Sequence, residues 1–147
     1  MKKTIVASAL LIASMNAMAF GEAGQWSTGW GQGVSEYAAV VSNGNELYIA
    51  CSDDAPVSMT LTVNGVKYGS RSKKGFDLVI DGQEIQTPYD TNSMVGENNF
   101  IYVWKKMRTA KKLQAKTSDG KTLNLPTNGA AQAIPATLES CSSEFSR

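Results

Sequence analysis

Between residues 57 and 63 the chain alternates strictly. Val57, Met59, Leu61 and Val63 are apolar, while Ser58, Thr60 and Thr62 are polar, the period-two pattern of a half-buried antiparallel strand. Similar short runs recur, and four of the junctions between them are Asn43-Gly44, Asn64-Gly65, Asp81-Gly82 and Asp119-Gly120. Such dipeptides tolerate the positive φ angles of a tight two-residue hairpin. The pattern therefore predicts hairpins joining 37–41 to 46–51, 57–63 to 66–68, 76–80 to 83–87 and 113–117 to 121–125. One stretch has another period. In FIYVWKKMRTAKKL, residues 100–113, Phe100, Val103, Trp104 and Met107 fall on one helical stripe, and Lys105, Lys106, Arg108, Thr109 and Lys112 face away. This predicts a helix with Asn98 or Asn99 as its cap, lying on the sheets that the hairpins build. The Ala-rich residues 127–140 predict a short helix or two turns, interrupted or restarted at Pro135, and residues 142–147 should fray. The fold class is mainly β: an antiparallel, hairpin-built sandwich or strongly twisted sheet with one packed amphipathic helix and a short C-terminal helix.

The chain's start has a different character. Lys2 and Lys3 precede an apolar run over residues 4–14 and the small-x-small triplet Ala17-Met18-Ala19, the signature of a signal peptide over 1–19 cleaved before Phe20. The run is too short to span a bilayer, and Phe rather than Cys at position 20 argues against a lipidated terminus. The expected product is a single β-rich domain over 20–147, soluble in the periplasm or secreted beyond it, with no transmembrane segment. Two thiols in an exported chain, Cys51 and Cys141, most simply form one disulfide that pins the C-terminal tail to an early strand.

Charge adds an asymmetry. The mature chain carries 12 basic and 13 acidic residues, a net of −1. Yet residues 20–66 hold five acids and no base, whereas residues 67–121 hold eleven bases and six acids. Either the folded protein has an acidic and a basic side, or folding interleaves the two segments and cancels the field.

The order GFDLVIDGQEIQTP, a helix, LQAKTSDGKTLNL and an Ala-rich helix resembles the small exported proteins of the invasion-associated locus B family, over roughly residues 75–140. That resemblance implies a periplasmic β-rich fold without established catalytic residues, so it transfers no site.

The candidate chemistry is narrow. The chain has no His, which removes Ser-His-Asp and Cys-His nucleophile activation and imidazole metal sites. No phosphate-binding glycine loop appears, and Gly29, Gly31 and Gly33 follow no apolar strand; residues 20–33 read as a flexible or close-packed opening segment. Asp53-Asp54 reads as a turn before Pro56 rather than as a carboxylate or Ca²⁺ site, and Ser70, Ser72 and Lys73 read as a loop tip. No cofactor or metal is expected, and nucleic acid is not expected as a partner. Two surfaces remain as binding candidates. One is the basic set Lys105, Lys106, Arg108 and Lys112, with the solvated face of a core-packed helix as the simpler reading. The other is Trp26 with Trp30, whose spacing of four in a strand puts both rings on one face as a stacking platform; covering an open sandwich end is the commoner role. The leading functional reading is a non-enzymatic binding module acting on a protein or cell-envelope component. The alternative is an inhibitor or exclusion factor against a lysozyme-like enzyme or an uptake system, and the last is a carboxylate-based hydrolase.

Overall fold

The computed structural model describes residues 20–42, 44–138 and 141–147. The expected signal peptide over 1–19, Asn43 of the first turn and residues 139–140 of the Ala-rich stretch lie outside the described residues. The protein is mainly β, as its alternation dictates. Five strands form one antiparallel meander in chain order: β1 (Gln25–Gly31), β2 (Val34–Ser42), β3 (Asn45–Ser52), β4 (Ser58–Val63) and β5 (Val66–Gly69). A second antiparallel sheet has the order β7-β6-β8-β9, from β6 (Phe76–Ile80), β7 (Gln83–Ile85), β8 (Leu113–Thr117) and β9 (Thr122–Leu125). All four expected hairpins are present. At two of their turns the residue before glycine is itself left-handed, Asn64 at φ 49° and Asp81 at φ 50°.

Between β7 and β8 the chain inserts α1 (Met94–Met107). Its buried residues are Phe100, Val103, Trp104 and Met107, the expected stripe. Its boundaries differ from the expected 100–113, and so does its cap. Ser93 is the N-cap, accepting the Gly96 N–H, and Asn98 and Asn99 lie inside the helix. The helix stops before Leu113 because the Asp81 carboxylate captures the N–H groups of both Lys111 and Lys112 at 2.9 Å, and Leu113 then pairs with Leu125 and Ile80. Lys112 therefore belongs to the approach to β8, not to the helix. Among its described residues the Ala-rich stretch yields α2 (Ala130–Ala133), which ends where Ile134 turns extended before Pro135.

Inward side chains of both sheets and the α1 stripe form one continuous core, including Leu47, Ile49, Met59, Leu61, Leu78, Ile80 and Leu125. Trp104 is its centre: fully buried, edge-on to Tyr37 at 5.1 Å, beside Phe100 at 5.8 Å, with its indole N–H on the Pro135 carbonyl. Cys51 and Cys141 are disulfide-bonded across 90 positions of chain. No helix among the described residues is long and apolar enough to cross a membrane.

The opening segment is neither loose nor merely close-packed. It is β1, turned into β2 by Gln32 and Gly33, both at positive φ. Its glycines obscured the strand, and its turn lacks the Asn or Asp of the other four.

Candidate functional site

Two adjoining concave surfaces surround the loop that leaves β5. Ser70 continues the ladder past the strand, since its N–H donates to the Met59 carbonyl and its Oγ accepts the Met59 N–H, both at 2.9 Å. Ser72 closes the loop on itself, donating from Oγ to the Lys67 carbonyl at 2.8 Å and accepting the Lys74 N–H at 3.1 Å. Between them Arg71 is held at φ 62°, a left-handed conformation costly for a side chain with a Cβ. Gly69, at φ 98°, has no room for a Cβ, which would sit 2.5 Å from the Met59 carbonyl oxygen. The loop is thus tied down on both sides of an exposed, strained arginine.

Two clefts meet at this loop and share Ser58, Ser70, Arg71 and Ser72. The larger, about 480 Å³, runs toward Tyr89, Asp90, Thr91 and Glu144. The smaller, about 310 Å³, crosses the outer face of the first sheet toward Thr60, Tyr48 and Glu46. Far in sequence, the C-terminal tail forms one wall of the larger cleft. Anchored by the disulfide, it places the Ser142 carbonyl on the Val57 N–H at 2.9 Å and the Glu144 N–H on Thr91 Oγ1 at 3.1 Å. Ser143 donates to the Glu97 carboxylate of α1 at 2.6 Å, and Arg147 reaches the Asp53 carbonyl. The tail expected to fray is held by these bonds through to its last residue. Asp53-Asp54 forms a bend before Pro56, as expected.

Two phenols along the groove are held in the neutral form by their surroundings. Tyr48 donates to the Glu36 carboxylate, and burial, that hydrogen bond and the Glu36 and Glu46 charges push its phenol well above the usual range. Tyr89 packs against Phe76 at 5.1 Å, and burial followed by the Asp77 charge raises its phenol too. Ser70 and Ser72 each spend their hydroxyl on backbone. Among the described residues there is no group of three or more acids, Cys or His placed to hold a metal ion. A second polar cluster joins the two sheets: Asp119 accepts from Tyr68 and Thr117 and faces Lys74 and Lys121. The Thr117 hydrogen bond leads in holding the Asp119 carboxyl down at about 2, with Tyr68, Lys74 and Lys121 assisting. It reads as a clasp between sheets.

The sequence candidates separate on inspection. Trp26 and Trp30 do not form a shared platform: Trp26 is 4% exposed, its indole donating to the Pro126 carbonyl, whereas Trp30 is 74% exposed. Both lie on one strand, but the approach to α2 packs on Trp26, whose N–H donates to the Asn128 carbonyl at 2.9 Å and whose backbone lies against Gly129. In the basic set, Lys105 and Lys106 are exposed on α1, Lys106 lying 5.5 Å from the Tyr102 ring centre. Arg108 instead turns back, its Nε donating to the Ile134 carbonyl at 2.8 Å. Lys112 is exposed outside the helix. The groove residues Arg71, Tyr48, Asp90 and Glu144 escaped sequence reasoning, because they come from separated segments that only the folded tail and loop bring together.

No curated protein and no solved structure matches the chain. The YfjT family model does match, over residues 24–134. That span runs from the residue before β1 to the end of α2, well over half of the chain, and on that evidence the protein belongs to the YfjT family.

Proposed function

We propose that this protein is an exported, non-enzymatic binding module that engages a protein or cell-envelope component through the groove around Arg71. The observation that carries this reading is the tied-down loop holding Arg71 at φ 62° where two clefts meet. Strain at a rigid, exposed cation is a feature of recognition sites, because a relaxed glycine there would serve the fold better. Around it, the Asp90 and Glu144 carboxylates beside the Arg71 cation suit a polar ligand carrying both donors and an acidic group. The Cys51–Cys141 bond fits an oxidising compartment, which supports the periplasm as the site of action. A pull-down from periplasmic extract tests the reading: a stoichiometric partner should be retained by the wild type and lost with Arg71→Glu. Arg71→Gly should lose the partner as well, while raising stability by up to about 1 kcal/mol by relieving the strain. A partner held equally by both variants, yet lost with Lys105 and Lys106 both changed to Glu, would move the contact to the basic face of α1.

A narrower reading, an inhibitor or exclusion factor against a basic envelope-directed enzyme, has its own support. The base-free residues 20–66 build β1 to β4, while the bases lie mainly in the β5–β6 loop, α1 and the second sheet. Strands β1 to β4 therefore form a base-free part of the first sheet, bounded at its far edge by Lys67 of β5 and Arg71 of the loop. Mixing with a lysozyme should then lower lytic activity, and the effect should fade as salt rises past about 0.1 M.

A further inference from the structure

Among the described residues, the edge of the first sheet opposite the groove is unguarded beyond Trp26. The two-residue turn at Gln32 and Gly33 makes Gly31 and Val34 a hydrogen-bonded pair, and alternation extends this to Gly29 with Glu36 and Ser27 with Ala38. The peptide groups of Thr28 and Trp30 consequently face outward. Trp26, of the same parity, shows this directly, since its N–H leaves the sheet for the Asn128 carbonyl at 2.9 Å. Beyond that contact, no hydrogen bond to Thr28 or Trp30 from outside the sheet occurs among the described residues. Exposed edges are normally blunted by charge, proline or shortness. The other three edges follow that rule: β5 has four residues and carries Lys67, β7 has three and carries Glu84, and β9 lies between Lys121 and Pro126. In contrast, β1 has seven residues, QWSTGWG, without a charge or a proline.

Two of the exposed large apolar side chains flank this same edge. Trp30 stands on one face, and Phe20, 40% exposed, lies on the other against Gly29, its ring 2.6 Å from where a Cβ would be. We infer that β1 is a self-association edge, pairing antiparallel with β1 of a second copy of this chain about a two-fold axis at Gly29. That register sets Thr28 opposite Trp30 of the second copy, an aromatic–β-branched pair, and forms about four backbone hydrogen bonds across the axis. Gly29 meets Gly29, bringing the two Phe20 rings toward each other on the outer face. A second copy is the occupant favoured because the strand is self-complementary, bulky against small, and free of charges that would repel their own images. So short a pairing falls below the roughly 1,200 Å² of a stable interface, so the dimer is weak, with a dissociation constant on the order of 100 µM to 1 mM.

The test is sedimentation velocity on the disulfide-bonded protein, as the cell processes it, from about 10 µM to about 1 mM, spanning the expected dissociation constant. The average mass should climb toward twice the monomer, and the Thr28 and Trp30 amides should exchange more slowly as concentration rises. Trp30→Lys, which adds the missing edge charge at an exposed site, and Thr28→Pro, which removes an outward N–H, should both stay monomeric. Near-ultraviolet dichroism would confirm that each variant is folded. A wild type that remains monomeric with unprotected amides at the highest concentration overturns the inference, as does association of both folded variants at wild-type strength. A monomeric wild type whose two amides become protected only on adding an extended foreign peptide also overturns it, and reassigns the edge to a heterologous strand.

Discussion

Trp104→Ala should be the most damaging single substitution in α1. The side chain is fully buried, and an indole of this kind removes about 150 to 250 Å² from water. At about 25 cal/mol per Å², truncation to alanine forfeits about 3 to 5 kcal/mol once the retained methyl is subtracted. Mutational experience with buried tryptophans gives the same range of about 3 to 5 kcal/mol. The edge-on contact with Tyr37 at 5.1 Å adds about 0.5 to 1.5 kcal/mol. Losing the indole donor also strands the Pro135 carbonyl, costing about 1 kcal/mol more unless water enters the cavity. Against a total stability of about 5 to 15 kcal/mol, the variant should be close to unfolding. Urea denaturation followed by far-ultraviolet dichroism is the assay, since fluorescence would change with the tryptophan itself. Trp104→Phe should recover part of the loss, keeping the ring contacts but not the hydrogen bond. Lys106→Ala, on the exposed side of the same helical turn, should stay within about 0.5 kcal/mol of wild type. Equal midpoints for Trp104→Ala and Lys106→Ala at unchanged slope would refute both the helical register and the central place given to this ring.

Three other expectations follow from the same structure. Replacing both cysteines by serine should cost about 4 to 5 kcal/mol on the chain-entropy account, and peptide mapping of the native protein should find Cys51 and Cys141 resistant to alkylation until reduced. Gly96→Ala should destabilise α1 despite alanine's better helix propensity, because its Cβ would fall 2.0 Å from the Asp90 carbonyl oxygen; a raised melting temperature would contradict this packing. Asp119 is held at about 2 against an ordinary 3.8, so its contribution to stability is present above pH 4 and is lost as pH falls toward 2. Asp119→Asn should flatten that part of the stability–pH curve, and a curve identical to wild type between pH 4 and pH 2 would show that the clasp between the sheets is not formed.

Much of this architecture was legible in the chain because its causes are local. Asn64-Gly65 and Asp81-Gly82 bend the backbone wherever they occur, and the strand from Ser58 to Val63 exposes one face and buries the other by its own alternation. The stripe of Phe100, Val103, Trp104 and Met107 is equally local, since helical periodicity alone puts those side chains together. The first turns of α1 were not legible. MVGENN has little helical preference, and those residues are helical because Ser93 caps them, Gly96 fits beneath the Asp90 carbonyl and Glu97 is held by Ser143 of the tail.

The sites divide the same way. Two cysteines in a chain whose start reads as a signal peptide implied their own bond, a matter of chemistry and expected compartment, but the wall that this bond builds beside Arg71 depends on where residues 141–147 come to lie. Trp26 and Trp30 make the distinction clearest. Their spacing on one strand was readable, and it correctly puts them on one face. Which of the two would be core and which exposed is not a property of the strand at all. Hydrophobic burial depends on what covers a residue, and the cover here, the approach to α2 and the Pro126 carbonyl, comes from chain 100 positions away.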